Sequence, residues 1–348
     1  MRLEDLDYDL PDSLVAQHPA ERREDARLLV VERATGTLHD QSVTDLPRWL
    51  RAGDVLALNE TRVRPARLHV RRPTGGRVEL LFVRPEAGEG ECWRVLARPA
   101  KHARPGSVLS KEPAGATGGL ELEVTGEGEA GERVVRVRRG DLDAVLREHG
   151  EIPLPPYIHR DADASDRERS QTVYARVDGA VASPTAGLHF TPELLAALEA
   201  GGVGRARVLL HVGPGTFRPV TAADPALHRM DEEWFEVTPE AAATLAAARA
   251  AGGRIVVVGT TSVRALESAC DACGGTPGPC SGWTRKFIRP PYRFQAADVL
   301  MTNFHLPRTT LLLLVAAFAG EGLLRAAYAH AVRERYRFYS YGDAMLVV

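Results

Sequence analysis

The strongest constraint on the fold of this chain is a break in texture. From about Val63 to Arg138 it runs in short β-type stretches, RVELLFV, CWRVLAR, GLELEVTG and ERVVRVRR, separated by turns such as PTGG, EAGEGE and PAGATGG. Several short strands at close spacing with little helical pattern imply a small barrel or sandwich. The flanks read differently. Before the break, DLPRWLRAG has the pattern of a short amphipathic helix leading into the strand DVLALN. Beyond Ser183, TPELLAALEAGG and TPEAAATLAAARAAGG each open with a Thr N-cap and a first-turn proline and stop at glycines. The strands RARVLLHVG and RIVVVGTT follow them, with DVLMTNF and DAMLVV as further strands.

Apolar strands alternating with helices imply a layered α/β/α domain with helices on both faces of the sheet. The expectation is a discontinuous α/β domain, residues 1–61 and 151–348, carrying an inserted β-barrel-like domain at 62–150. The proline run IPLPPYI closes the insert, because clustered prolines favour extended connectors. Two consecutive independent domains is the alternative, and the strand at Asp54 to Leu58 argues against it.

With 348 residues, about two domains are expected at roughly 150 residues each. Apolar residues at 44% and charged residues at 26% exclude a disordered or collagen-like chain. The longest strongly apolar run, Leu311 to Ala319, is far short of the ~20 residues of a membrane helix, so no membrane partner is expected. The acidic, mixed N-terminus resembles no secretory or transit peptide, which points to the cytoplasm. The net charge of −2 means that any nucleic-acid contact must come from a local patch. Lysine occurs only at Lys101, Lys111 and Lys286. The many arginines suit bidentate phosphate contacts, but a genome-wide bias, with alanine abundant as well, is the preferred account. Cys270, Cys273 and Cys280 form a C-x2-C-x6-C cluster without a fourth zinc ligand nearby, so a surface loop with incidental thiols, and no metal, is expected.

A phosphate-cradling G-x-x-x-x-G-K-[ST] loop, a G-x-S-x-G elbow and an H-E-x-x-H helix are all missing. In HVGPGTF, Gly213 and Gly215 are present, but Arg218 stands where a dinucleotide fingerprint needs its third glycine. What remains is a set of polar strand-end junctions: VLALNETRVRPARL, SPTAGLHFTPE, HVGPGTFRPV, VGTTSVRALE and TNFHLPRTT. Ligands of open α/β sheets bind outside the carboxyl ends of the strands, so these five loops could line one crevice. In VGTTSVRALE, Gly259 permits close backbone approach, and Thr260, Thr261 and Ser262 can cap a helix whose free N–H groups would hold an anion; an ordinary helix cap is the alternative.

His189, His211 and His305 lie beside glycines or in strand-end loops, where each is either an acid/base group or a hydrogen-bonded structural histidine. Arg62, Arg64, Arg67, Arg71 and Arg72 cluster at the entrance to the β insert, as phosphate contact requires or as a solvated face. Tyr336, Phe338, Tyr339 and Tyr341 either stack on bases or belong to the core.

Together these junctions resemble one family, S-adenosylmethionine:tRNA ribosyltransferase-isomerase of queuosine biosynthesis. The resemblance runs in order through YDLPDSLVAQHP, GDVLALNETRVRPARL, SPTAGLHFT, HVGPGTF, VGTTSVRALES, TNFHLPRTTLLLLVAAFAG and YRFYSYGDAML. It implies transfer and isomerisation of the ribosyl group of S-adenosylmethionine onto a 7-aminomethyl-7-deazaguanine base at the wobble position of a tRNA. Epoxyqueuosine-tRNA forms, and adenine and methionine leave. It also implies an α/β domain with an inserted β-barrel, S-adenosylmethionine as co-substrate without a prosthetic group, and a monomer.

The sulfonium acidifies the C5′ protons, so such chemistry needs a base to generate an ylide and a proton donor for departing adenine. His189 and His305, with His211 third, are the candidates for proton transfer. Asn59, Thr61, Thr185, Thr216, Thr260 and Asn303 would orient ribose and adenine, with Gly187, Gly213 and Gly215 in the same substrate-binding set. Arg264 or the helix start at Thr261 would hold the methionine carboxylate. Arg62, Arg67 and Arg71 would position tRNA phosphate, and Tyr341 would stack on a base.

Two positions depart from the family's pattern. HRMDEE has Asp231 where H-x-M-H-x-E has its second histidine, while Glu233 is retained. Pro290, Pro291 and Tyr292 replace a Pro-Gly-Tyr, which implies a differently shaped loop. Two other classes compete: a tRNA-binding module without catalysis, and a zinc hydrolase using the histidines and the cysteine cluster.

Overall fold

The computed structural model describes residues 7–112, 118–217 and 225–348; the readings placed on residues 1–6, on the turn at 113–117 and on Arg218 lie outside the described residues. The chain opens with an antiparallel pair, β1 (Arg27–Val31) and β2 (Leu38–Ser42), and reaches β3 (Val55–Asn59) through Val43–Arg48. The pattern there predicts an amphipathic helix, but only 3-10 turns form. Pro47 lies inside the segment and withholds a backbone donor, while Ser42 and Asp45 close a capping box at its start.

From β3 the chain leaves the sheet through β4 (Thr61–Val63) and builds the insert. Its strands are β5 (Arg67–Arg71), β6 (Arg77–Glu86), β7 (Cys92–Arg98), β8 (Val108–Lys111), β9 (Leu120–Glu127) and β10 (Glu132–Arg139). They close a six-stranded barrel in the order β10-β7-β6-β5-β8-β9. Alternation fills its interior: Leu120, Leu122 and Val124 of β9 point inward, and α1 (Leu142–His149) adds Leu142, Val145 and Leu146 to the same core. Entry and exit are zipped together, since Arg67 and Glu151 exchange N–H···O bonds of 3.1 and 2.8 Å. After α2 (Asp166–Arg169), Gln171 clasps both backbone groups of Val63, at 3.0 and 2.9 Å, and β11 (Val177–Ala180) pairs with β4.

The remaining elements complete the α/β domain: α3 (Pro192–Ala200), β12 (Gly204–Leu210), β13 (Glu233–Val237), α4 (Pro239–Ala250), β14 (Ile255–Val258), α5 (Thr260–Ala272), β15 (Cys280–Thr284), β16 (Val299–Asn303), α6 (Thr310–Ala319), α7 (Glu321–Arg333) and β17 (Ala344–Val347). Thr191 and Thr238 cap α3 and α4 as their sequences predict. The nine strands run β15-β13-β12-β3-β14-β16-β17-β1-β2. Helices α4 to α7 cover one face through Leu245, Leu266, Leu313 and Leu324; α3 and the Val43–Arg48 turns cover the other through Leu194, Leu198 and Leu46. Every residue of β3 and β14 is buried, which is why both read as uninterrupted apolar runs. The layered α/β/α domain with an inserted barrel is therefore observed.

Strands β12, β3, β14 and β16 are mutually parallel, so their carboxyl ends share one edge, joined by the amino ends of the antiparallel β13 and β17. The barrel leaves the sheet from the end of β3 and stands at this edge. Among the described residues no single helix is long and apolar enough to cross a membrane.

Candidate active site

All five polar junctions lie at that edge. Asn59, fully buried, ties three of them together: its Oδ1 accepts from Thr61 N–H and Leu210 N–H at 3.2 and 3.1 Å, and its Nδ2 donates to Leu210 O and Thr261 Oγ1 at 2.9 and 3.3 Å. That uses the whole amide to fix strand ends. The start of α5 follows Gly259, whose φ of 89° only glycine adopts freely. No side chain caps this helix. The Ser262 hydroxyl turns back to Val258 O at 2.6 Å, the Thr261 hydroxyl accepts from Asn59, and Thr260 is buried beside them.

The SPTAGLHF segment forms a buried 3-10 turn, Thr185–His189, laid over Gly259 through Ala186. Gly187 is required by packing, since a Cβ there would collide with the Tyr174 hydroxyl. His189 ends the turn, 5% exposed, beside Asn303 and Asp343. Burial holds its pKa down to about 4, against the opposing pull of the Asp343 carboxylate. Its Nε2 has no hydrogen-bond partner, and neither has Asn303 Oδ1, although Asn303 Nδ2 donates to Tyr339 O at 2.9 Å. The SPTAGLHFT and TNFHLP blocks thus meet at His189 and Asn303.

The other two histidines lie elsewhere along the edge. His305 belongs to the opposite face of β16, with Nε2 2.8 Å from Thr302 Oγ1, its N–H donating to Tyr328 Oη at 2.9 Å and its carbonyl accepting from Tyr8 Oη at 2.5 Å. Burial lowers its pKa to about 3. His211 stands near the barrel, its Nδ1 2.8 Å from Thr61 Oγ1 and its ring in the space left by Gly179. Burial and then the Arg64 charge lower its pKa.

Glu233 organises the HVGPGTF loop. Its Oε1 accepts from Gly213 N–H at 2.8 Å and Thr216 Oγ1 at 3.0 Å, and its Oε2 accepts from Arg264 Nη1, with both side chains 3% exposed. Arg264 Nε donates to Lys286 O at 2.9 Å, leaving Nη2 without a partner. Gly215 makes room for the Asp231 carboxylate. Glu267, also fully buried, accepts from Tyr292 Oη and from the N–H groups of Gln295 and Ala296, which fixes the loop behind Pro291. Sequence reasoning did not find the organising roles of Glu233, Glu267, Asp343 and Gln171. The retained acid of HRMDEE and the YGD block pointed to two of them, but nothing in the spacing indicated their partners.

A row of neighbouring cavities that share lining residues leads from the barrel to these parts. A cavity of about 590 Å³ lies between Arg84, Arg94 and Leu96 of the barrel and Pro214, His228 and Asp231. A second, of about 370 Å³, shares Leu96 and Pro214 and extends along Pro153–Pro156 to Ala182. Narrow clefts of about 20 Å³ carry it past Thr185, Leu188 and Tyr341 to His189. Arg62 and Arg71 are exposed on the barrel side, whereas Arg67 is turned toward Leu154 O and Glu79. Tyr341 is 7% exposed, its hydroxyl on Asp166, and Tyr336 and Phe338 are core residues. Cys273 and Cys280 stand together, and Cys270 is buried. Among the described residues no group of three or more His, Cys, Asp or Glu is placed to hold a metal ion.

Residues 3–347 match the sequence model of the family described as queuosine biosynthesis protein. An S-adenosylmethionine:tRNA ribosyltransferase-isomerase of Anaeromyxobacter dehalogenans is 53% identical over 351 residues, covering 100% of this chain and 99% of that protein. The enzyme of the same name from Symbiobacterium thermophilum is 51% identical over 350 residues, covering both chains completely. A crystal structure of S-adenosylmethionine tRNA ribosyltransferase from Thermotoga maritima is 36% identical and superposes with a TM-score of 0.56, covering 99% of this chain and 100% of that one. With its barrel inserted at the edge formed by the carboxyl ends of the parallel strands and its likeness extending over the full length of both sequence and fold, this chain belongs to the queuosine biosynthesis protein family, that of the S-adenosylmethionine:tRNA ribosyltransferase-isomerases.

Proposed function

We propose that ribosyl transfer takes place in the row of cavities that runs from the barrel to His189. The reaction transfers and isomerises the ribosyl moiety of S-adenosylmethionine onto the 7-aminomethyl-7-deazaguanine base at the tRNA wobble position, releasing adenine and methionine. The observation that carries this placement is the meeting of the two most specific sequence blocks at His189 and Asn303, at the end of that row.

In this reading His189, neutral at pH 7, accepts the C5′ proton through its unpartnered Nε2, and Asp343 stabilises the imidazolium that results. Asn303 Oδ1 accepts from a substrate hydroxyl or amine. The uncapped start of α5 and the spare Nη2 of Arg264 face the substrate carboxylate. Thr185 lines the approach, while Thr61 holds His211 and Thr216 holds the HVGPGTF loop on Glu233. His305, locked between Thr302 and Tyr328, positions the end of β16. Arg62 and Arg71 meet tRNA phosphate from the barrel, and Tyr341 edges the base pocket. The sulfonium supplies its own activation, so no prosthetic group enters the reaction, and the protein works as a cytoplasmic monomer.

Release of adenine from S-adenosylmethionine, dependent on tRNA bearing the modified base, tests the assignment. A binding module releases none, and a zinc hydrolase loses activity with chelator. Substrate-dependent adenine release that survives chelation supports the transferase.

A further inference from the structure

The arginines along the row of cavities are not equally compensated. Near the barrel, Arg84 and Arg285 share Glu232 at 3.2 and 3.0 Å, and Arg94 is paired with Glu86 at 2.6 Å. At the other end, Arg23, Arg169 and Arg337 line one cleft with His189 and Tyr341. Arg23 donates to Leu188 O and Gln171 O at 2.9 and 2.8 Å, and Arg169 to Glu21 O and Ala20 O at 2.8 and 2.6 Å. Those acceptors are neutral. They satisfy the guanidinium N–H groups without cancelling the charge, and the buried Nε of Arg169 keeps no partner. The neighbouring carboxylates are paired elsewhere or act only through space: Glu24 is paired with Arg22 and reaches Arg169 only through space, Asp343 takes the Arg337 guanidinium at 3.1 Å, and Glu168 acts on Arg23 through space. Two half-buried guanidinium groups without a direct ion pair, beside a third, carry an electrostatic cost that an incoming anion relieves.

We propose that Arg23, Arg169 and Arg337 form an oxyanion site beside His189 that takes a backbone phosphate of the RNA substrate. The cleft has room for about one water-sized atom, which suits a single phosphate oxygen presented from the surface. Docked there, the phosphodiester fixes the register of the strand so that the neighbouring base reaches His189 and Tyr341. This inference rests on the tRNA reading above. S-adenosylmethionine brings the other available oxyanion, its carboxylate, and the test separates the two.

Arg169→Gln, Arg169→Lys and Arg337→Gln are compared with the unaltered protein for dissociation of tRNA carrying the modified base at several salt concentrations. Adenine release is followed against each substrate in turn. Arg337→Gln keeps the fold in play, because Asp343 still accepts from the backbone N–H groups of Arg27 and Arg337. The expected result is about a ten-fold weaker tRNA complex for either Gln variant, with a salt slope shallower by about one, a smaller loss for Arg169→Lys, and an unchanged KM for S-adenosylmethionine. Unchanged tRNA affinity, or a rise confined to the KM for S-adenosylmethionine, overturns the phosphate site. Failure of the unaltered protein to release adenine with tRNA overturns the underlying reading as well.

Discussion

Arg264 on α5 and Glu233 at the start of β13, 31 positions apart in sequence, form an ion pair in which each side chain is 3% exposed. The other carboxylate oxygen holds Gly213 N–H and Thr216 Oγ1, so one acid connects a helix, an antiparallel strand and the HVGPGTF loop. Breaking such a pair from one side strands a charge in the interior, which costs about 3–5 kcal/mol. Glu233→Ala is expected to lose stability of that order and to loosen the loop. Denaturant unfolding measures it, and a loss below about 1 kcal/mol contradicts a structural role for the pair. Replacing both partners by apolar residues of similar volume should recover part of the loss.

His189→Ala is expected to lower adenine release by about 10²–10⁴-fold, the usual scale of a positioned base. Its tRNA affinity should stay within about two-fold, because Arg23, Arg169 and Arg337 of the same cleft, and not His189, hold the phosphate. Steady-state turnover and tRNA dissociation constants read the two effects separately. Undiminished turnover removes His189 from the chemistry.

Much of this arrangement could be read from the sequence, for identifiable reasons. The strands at Val55–Asn59 and Ile255–Val258 are buried on both faces, so they stand out as apolar runs, and Thr191 and Thr238 announce their helices through local capping. The barrel shows as alternation broken by turns. What could not be read is non-local. Period-2 alternation places Thr302 and Asn303 on opposite faces of β16, but only the packed helices decide that His305 follows Thr302 under Tyr328 while Asn303 meets His189. The arginines called out by their density at positions 62–72 are in part committed to the barrel's own carboxylates and carbonyls, whereas Arg23 and Arg169, far apart from each other in sequence, converge through folding.

Stability should fall on mild acidification, and the two buried histidines set the window. Folded pKa values of about 4 for His189 and about 3 for His305 lie below the ordinary value of 6.5, so the unfolded chain binds protons first as pH drops. Their contribution is complete above about pH 6.5 and is lost progressively down to pH 4, with His305 continuing toward pH 3. For His189 the full difference is worth about 3 kcal/mol. Unfolding free energies between pH 7 and 4 should therefore slope downward with acid, and the slope should be smaller in His305→Gln. An equal slope in that variant would show that other groups carry the effect.

Gly187 separates two explanations of a glycine in the most specific block of the chain. If it serves close approach of substrate, Gly187→Ala raises the KM for S-adenosylmethionine whatever surrounds it. The structure places the Tyr174 hydroxyl and the Thr172 methyl in the space a Cβ would occupy, so the alanine overpacks a buried contact instead. The expected cost is about 1–3 kcal/mol of stability, with a displaced Thr185–His189 turn and reduced turnover. Tyr174→Phe removes the nearest clashing atom but leaves the ring, so the double variant Gly187→Ala/Tyr174→Phe should be more stable than Gly187→Ala alone. It should also regain part of the turnover. Thermal unfolding of the four proteins in the cycle gives the coupling, and an additive result would assign Gly187 to the substrate rather than to Tyr174.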